Sequence, residues 1–457
     1  MRPISLYEAM ARAIKYNLDY RVQLFEEALR ASETDLARVD LLPQLVANAG
    51  FNNRDNFSGS RSSALLGSTT VGEQSLVPST SSERQVFNSD LRLSWDILDF
   101  GLSYVRAKQS ADQILIANER KRKVINRVIA NVRTAYWRAV SAERLVERLK
   151  ALESDIQGAL SSSEESYRDR QTAPLAALTY QRELLTIQQE IQSMENDLKL
   201  SKMQLAALIN IDPSTDYQLV VPDRIEALQG IKLNPEQLVD YALKHRSELR
   251  ELTYEQRINK REANAALLEV LPNLSLFGGF NHNSNDFLFN NNWISWGAST
   301  SWNILNAYKY PKKKNLVMVN GEFLDQRPLA LTMAVITQVH VSASQFEVAK
   351  RKVDTSKKFN SVNNNILEQT VAGHRTRRVS DQTLVRERMN QLVSEARYDI
   401  AYAELQNTYA DIFTAVGQEV YGDINANTAS VDELSQHLRG HWKKLKNGMV
   451  KAAKTNS

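Results

Sequence analysis

The chain has 457 residues, with 57 Lys and Arg against 53 Asp and Glu, a formal charge of +4, 16 glycines, 10 prolines and no cysteine. Without cysteine, disulfide scaffolds, thiolate metal sites and a cysteine nucleophile are excluded, and no lipid anchor on an N-terminal cysteine is expected in the chain as given. The slight charge makes no case for nucleic acid, which calls for a basic stripe. Glycine and proline stand at roughly half of average usage, so a few long elements, mostly helices, are expected.

No run reaches about 18 consecutive apolar residues, so no transmembrane helix is expected. Met1-Arg2-Pro3-Ile4-Ser5 leads into a helical pattern without the apolar core of a signal peptide. The chain reads either as cytosolic or as a mature exported protein. A first helix covers about 5–41 and stops before Pro43, and a strand follows at about 44–53. The segment between Asn53 and Asn88 is rich in Ser, Gly, Thr and Asn and reads as an exposed loop. A return strand at about 88–98 precedes a helix over about 102–168, whose length would be on the order of 100 Å. On it Val128, Val132, Ala135, Ala139, Ala142, Val146 and Leu149 are spaced as a coiled-coil seam. A helix over about 174–209 returns antiparallel.

The second half repeats the first. Residues 5–52 align without a gap on 234–281 at an offset of 229, with Leu41-Leu42-Pro43-Gln44-Leu45 matching Val270-Leu271-Pro272-Asn273-Leu274. Further along the offset is 207, where Ser94-Trp95-Asp96-Ile97-Leu98-Asp99 matches Ser301-Trp302-Asn303-Ile304-Leu305-Asn306. The second seam is Val335, Val339, Ser342, Phe346, Ala349, Val353 and Ser356, and the last helix of this half spans about 380–417. The division expected is a first repeat over 1–209, a linker over 210–233, a second repeat over 234–417 and a C-terminal segment with a basic tail over 418–457.

The strands carry the sharper clue. Leu91, Leu93, Trp95 and Ile97 alternate with Arg92, Ser94 and Asp96, and Trp296, Trp302 and Ile304 alternate with Ser299, Ser301 and Asn303. Strands near 273–282 and 293–304 thus mirror those of the first half. Such alternation fits membrane-barrel strands, with the apolar set toward lipid and the polar set toward a wet lumen. A half-buried sheet packed on the helices is the alternative. Four strands cannot close a barrel, and an open sheet in lipid leaves its edges unsatisfied, so membrane strands would require an oligomer.

The duplicated helix-strand-strand-helix-helix order, the Leu-Pro-Gln/Asn-Leu entries and Trp95-Asp96-Ile97-Leu98-Asp99-Phe100-Gly101 resemble the TolC-type outer-membrane efflux proteins over about 4–417. The resemblance implies a mainly α chain with a membrane β-barrel. It implies a homotrimer with one twelve-stranded barrel and a long coiled-coil helical tunnel across the periplasm of a Gram-negative bacterium. The linker and chain ends would form an equatorial belt. Such proteins are passive exit ducts of drug efflux pumps or of type I protein secretion. They sit in outer-membrane lipid and dock to a periplasmic adaptor and an inner-membrane transporter of RND, ABC or MFS type.

The resemblance places two helical tips at the closed, adaptor-contacting end, with Thr172, Ala173, Pro174 and Leu175 in the first and Gly373 and Thr376 in the second. Relatives often carry carboxylates on the inner helix after the second tip, but here Val379 and Gln382 occupy those places. The tip is basic instead, and contacts between subunits through Arg375, Arg377, Arg378 and Asp381 are expected to hold it shut. Elsewhere, Arg120-Lys121-Arg122-Lys123 reads as a solvated face and the segment from His437 as a mobile basic tail. Lys309, Lys312, Lys313 and Lys314 read either as a headgroup contact or as a plain solvated turn. His437 and His441 lack a third ligand, so no metal site is expected. No phosphate-binding, zinc-protease or nucleophile-elbow motif occurs, so neither an enzyme nor a cofactor is expected. A soluble coiled-coil scaffold is the rival from another class.

Overall fold

The computed structural model describes residues 3–65, 71–169, 173–224, 233–419, 421–422 and 428–454. It is mostly helical. In chain order come α1 (Leu6–Tyr16), α2 (Leu18–Val39), β1 (Gln44–Asn53), four short strands, β6 (Gln85–Asp96), α3 (Ile97–Arg168) and α4 (Pro174–Leu208). Then follow α5 (Pro235–His245), α6 (Ser247–Leu268), β7 (Asn273–Asn283), β8 (Asn292–Ser301), α7 (Leu305–Arg375), α8 (Asp381–Ala415) and α9 (Val431–Lys454). The short strands are β2 (Gly59–Ser60), β3 (Ser63–Leu65), β4 (Val71–Gln74) and β5 (Ser79–Thr80).

Each first helix is broken where the sequence suggests a continuous one. The backbone turns extended at Asn17 (ψ 128°) and at Arg246 (ψ 126°), positions equivalent in the 229-residue register. Asn17 Oδ1 accepts the N–H of Tyr20 at 3.1 Å and so starts α2. Arg246 instead sends its guanidinium to the carbonyls of Thr414 and Ala415, both at 3.1 Å, covering the unpaired end of α8.

The segment between Asn53 and Asn88 is also more ordered than a plain loop. β2 pairs with β5 and β3 with β4, both antiparallel, forming two small ribbons.

The chain divides into two units by contact, each drawn from both halves of the sequence. One comprises residues 28–115 and 253–325. Its centre is a four-stranded antiparallel sheet in the order β1-β6-β7-β8. Among its helical residues, Asp112 is 3% exposed and is held by Arg257 and Arg261. Arg106 meets Glu262 at 2.6 Å, and Lys313 meets Glu269 at 2.5 Å, so one of the four lysines after β8 is an ion-pair partner rather than a free cation.

The other unit comprises residues 1–27, 116–252 and 326–457. Both seams form its core: Val128, Val132, Ala135, Ala139 and Leu149 are buried, as are Val335, Val339, Ser342, Phe346, Ala349 and Val353. Val146 and Ser356 are only half-buried. The side chain of Ala142 lies outside the described residues.

Two sequence expectations are corrected in this unit. Arg120-Lys121-Arg122-Lys123 is a solvated face only in part, with Arg120 and Lys123 exposed but Lys121 and Arg122 half-buried, and all four carry ion pairs. Arg120 meets Glu251 at 2.7 Å, Lys121 meets Glu27 at 2.5 Å, Arg122 meets Glu419 at 2.6 Å and Lys123 meets Glu248 at 3.8 Å. The acids lie far away in sequence, which is why the run looked unpaired.

The segment from His437 is not a mobile tail through its described part. It belongs to α9, where Leu434, Leu438, Trp442 and Leu445 recur every three or four residues and are buried. The basic residues Arg439, Lys443 and Lys444 occupy the exposed side.

Among the described residues, one stretch of α7 has a mean hydropathy of 1.2, which by length and composition alone matches a membrane-crossing helix.

Candidate functional site

Strand register sorts the sheet into two faces, because directly paired residues lie on the same side. Leu45 pairs with Leu93, Ala47 with Leu91, Leu91 with Phe280, Trp95 with Leu276, Gly278 with Trp296 and Phe280 with Ile294. That face is apolar and open: Trp296 is 86% exposed and Ile294 76%. Burying such side chains is worth about 1.5–3 kcal/mol each, so a bare apolar face of this extent is built to be covered.

The opposite face is polar. Asn48 pairs with Asp90, Asp96 with Ser275, Ser275 with Ser299, Asn273 with Ser301 and Gly279 with Ser295. Side chains bond across the strands there, Asn48 Nδ2 to Asp90 at 2.7 Å and Asn281 Nδ2 to Ser295 Oγ at 2.8 Å. Phe277 is an apolar exception on this face. Arg92 lies over its ring at 4.3 Å, and a Cβ on Gly297 would stand 2.8 Å from its Cζ.

The structure therefore brings Leu91, Leu93, Trp95 and Trp296 together on one face, and Arg92, Ser94, Asp96, Ser299 and Ser301 on the other. Four expected barrel positions fall outside the strands. Ile97 opens α3, and Trp302, Asn303 and Ile304 form the turn into α7. Trp302 Nε1 donates to the carbonyl of Val270 at 2.9 Å, and Asn303 Oδ1 accepts the N–H of Leu305 at 3.2 Å. The alternation ran past the end of β8 because it cannot see where pairing stops. β1 and β8 each pair on one side only.

The tips belong to the other unit. In the first, α3 ends at Arg168 and α4 starts at Pro174, with Ala173 before it and Leu175 79% exposed. Proline at the helix start needs no N–H partner there. Thr172 lies outside the described residues.

The second tip is a tight cap. The N–H of Arg377 reaches the carbonyl of His374 and that of Arg378 the carbonyl of Gly373, both at 2.9 Å, with Arg377 left-handed at φ 58°. Glycine is usual at that position, yet Gly373 serves a different end: a Cβ on it would stand 2.7 Å from Val379 Cγ2. Thr376 Oγ1 bonds the carbonyl of Gly373 at 2.9 Å, and Ser380 Oγ caps α8 by accepting the N–H of Thr383 at 3.2 Å.

Arg375, Arg377 and Arg378 are all exposed. Asp381 is apart from them: His374 Nε2 reaches its Oδ1 at 2.5 Å, tying the end of α7 to the start of α8. The charge run drew attention to the arginines, and the one histidine beside them was passed over. Asp381 also lines a cleft of about 480 Å³ with Ser162, Ser163, Ala177, Tyr180 and Arg388. Burial, with Asp381 and Glu183 nearby, raises the Tyr180 phenol above its ordinary range.

Among the described residues no group of His, Asp and Glu could hold a metal ion. His437 and His441 stack with ring centroids 6.2 Å apart, and His441 Nε2 faces the carbonyl of Glu419 at 2.8 Å.

Residues 10–210 match the family described as Outer membrane efflux protein. No curated protein matches the chain in sequence. Among solved structures, the Campylobacter jejuni CmeC outer membrane channel is similar at TM-score 0.70 and 16% identity, covering 94% of this chain and 89% of that one. A membrane protein from Pseudomonas aeruginosa follows at 0.69 and 15%, covering 93% and 92%. The open state of the Neisseria gonorrhoeae MtrE outer membrane channel gives 0.64 and 16%, covering 93% and 91%. Residues 10–210 thus resemble the outer membrane efflux protein family in sequence, and nearly the whole chain shares the fold of solved outer membrane channels.

Proposed function

We propose that three copies of this chain set their sheets edge to edge as one twelve-stranded barrel, and that the assembly is the passive exit duct of a tripartite small-molecule efflux pump. The likeness of residues 10–210 to the outer membrane efflux protein family supports a place in the outer membrane of a Gram-negative cell, with the helices in the periplasm. The observation that carries the reading is the sheet itself, apolar on one face, polar on the other and open at β1 and β8. Each unpaired backbone group costs several kcal/mol in hydrocarbon, so the open edges call for strands from other copies.

In this reading Leu91, Leu93, Trp95 and Trp296 face lipid, with Ile97, Trp302 and Ile304 at the membrane margin. Arg92, Ser94, Asp96, Ser299 and Ser301 line the lumen, with Asn303 at its rim. Thr172, Ala173, Pro174, Leu175, Gly373 and Thr376 contact a periplasmic adaptor that links the duct to an RND, ABC or MFS transporter. Arg375, Arg377, Arg378 and Asp381 hold the resting tip across subunits. Exposed pairs give about 0–1 kcal/mol each, so closure needs several in a symmetric ring. Function then follows from geometry, without a catalytic residue.

Light scattering on a sizing column tests the assembly. A three-chain species that precipitates without detergent is expected, and a freely soluble monomer or dimer overturns the reading. In planar bilayers, Asp381→Arg is expected to raise resting conductance. An unchanged conductance removes Asp381 from the gate.

A further inference from the structure

The chain joins its two repeats where α3 meets α6, and that joint is ionic. In the unit of the sheet, Arg106 meets Glu262 at 2.6 Å and Asp112 is held by Arg257 and Arg261. In the other unit, Arg120 meets Glu251 at 2.7 Å and Arg250 meets Glu119 at 3.6 Å. On α3, Gln109, Asp112 and Ile116 recur at helical spacing and are 7%, 3% and 3% exposed. Gln109 Nε2 itself donates to the Ile258 carbonyl at 3.2 Å.

The second repeat presents the same surface without a cover. At the 207-residue offset, Gln109, Asp112 and Ile116 become Leu316, Val319 and Phe323 of α7, which are 69%, 50% and 59% exposed. At the 229-residue offset, Arg261 and Ala265 of α6 become Ser32 and Leu36 of α2. Ala265 is fully buried, whereas Leu36 is 64% exposed. Leu18, Val22, Phe25 and Leu29 continue that bare stripe along α2.

Both helices are packed on another side. Asn259 of α6 donates to the Val317 carbonyl of α7 at 3.2 Å, and Thr34 of α2 bonds Ser110 of α3 at 2.8 Å. The bare faces belong to the helices that adjoin the open strands, since α2 leads into β1 and α7 follows β8. Those strands stand three spacings apart, about 14 Å, so the fit calls for a second copy rather than the chain's own α2.

We propose that α7 of one copy seats on α2 of the next as α3 seats on α6 within the chain, with an apolar seam in place of the ion pairs. The inference rests on the three-copy reading and adds a helical contact to its strand edges. A contact between two different faces runs head to tail, which lets it close into a ring. The change of chemistry also sorts partners, because Asp112 and its arginines would stand unpaired against an apolar stripe.

Cross-linking tests it, and the absence of native cysteine makes introduced thiols the only ones. Ser32→Cys and Val319→Cys fall at the positions equivalent to Arg261 and Asp112, which touch within the chain. With a short bis-maleimide in detergent, the double variant should give two-chain and three-chain bands on a denaturing gel, and each single variant one-chain bands. Val319→Asp should lose the three-chain species at a temperature where the parent keeps it. Adding Ser32→Arg should bring it back, because the pair rebuilds the contact of Asp112 with Arg261. Both sites are exposed in the single chain, so the fold tolerates these changes, and an unchanged circular dichroism spectrum checks that. A double-cysteine sample that sizes as three chains but gives no band between chains overturns the joint and leaves the assembly standing. A sample that sizes as one chain overturns both. A Val319→Asp assembly as heat-stable as the parent also overturns the joint.

Discussion

Gly417 sits so close to Arg246 that a Cβ on it would stand 2.8 Å from the Arg246 Cα. Gly417 is left-handed at φ 72° and closes α8, its N–H reaching the carbonyl of Thr414 at 3.1 Å. Arg246 binds that same carbonyl from its side chain. The helix end and the break between α5 and α6 thus build one joint. Gly417→Ala should cost at least about 1–2 kcal/mol from the left-handed backbone, and more from the clash with main chain that cannot swing aside. Thermal melts should show a clear loss. At the equivalent position of the first half Asn210 holds the same conformation at φ 55°, so Asn210→Ala should cost less than Gly417→Ala.

The left-handed residue at the second tip is an arginine, which gains nothing from that backbone. Arg377→Gly should stabilise the turn by about 1 kcal/mol. Slower amide exchange over the last turn of α7 is the expected readout. Because the side chain is exposed and without an ion-pair partner among the described residues, nothing in the folded chain offsets the gain.

Ion pairs between α3 and α8 keep one antiparallel register. Arg144 meets Asp399, Arg148 meets Glu395 and Asp155 meets Arg388, each step along one helix matched by an equal step back along the other. The pairs are not equal in energy. Asp399 is 1% exposed and also meets Arg224 at 2.7 Å, whereas Asp155 and Arg388 are 41% and 44% exposed. Asp399→Ala should therefore cost about 3–5 kcal/mol by leaving Arg144 without its anion and Arg224 with Glu395 alone, at 3.6 Å. A double-mutant cycle on Asp155 and Arg388 should return less than about 1 kcal/mol. Equal coupling at the two places would contradict this ordering.

Local pattern made much of this architecture readable. Pro43 and the alternation after it predicted β1 to the residue, and Pro174 marked the start of α4. The helix breaks at Asn17 and Arg246 were invisible because the cap at Arg246 rests on carbonyls at 414 and 415, far along the chain. The counter-ions of Arg120 to Lys123 are remote in the same way. In α9 a run of lysines hid an apolar stripe of ordinary helical spacing. The faces of the sheet were legible from period alone, but the exits at Ile97, Trp302 and Ile304 depend on pairing partners. At the second tip, the bond between His374 and Asp381 depends on a turn that residue types alone did not reveal.

β6 and β7 approach each other at Gly279. A Cβ there would stand 2.8 Å from the Leu91 carbonyl oxygen and 3.3 Å from the Arg92 Cα, both main chain. Any side chain must push two paired strands apart or shift their register, and a shift of one residue would exchange the apolar and polar faces. Gly279→Val should therefore lower the yield of detergent-stable oligomer sharply. Gly50→Val should not, because a Cβ on Gly50 in β1 meets nothing within 4 Å. Semi-native gel mobility of the two variants makes the comparison.

Acid should loosen the unit that carries the sheet, and Glu262 names one reason. Burial alone would raise its pKa, but hydrogen bonds from Gln109 and Arg106 and the charges of Arg106 and Lys313 outweigh burial and hold it below the usual 4.5. A carboxyl whose folded pKa is depressed binds fewer protons folded than unfolded. Its stabilisation is complete above about pH 4.5 and is lost as pH falls through the lower folded value. Glu262→Gln should then melt lower than the parent chain at pH 7, with the gap narrowing on acidification below 4.5. A gap that stays constant from pH 7 to pH 3 would mean that the carboxylate's charge contributes nothing, and that only its shape matters to Arg106 and Lys313.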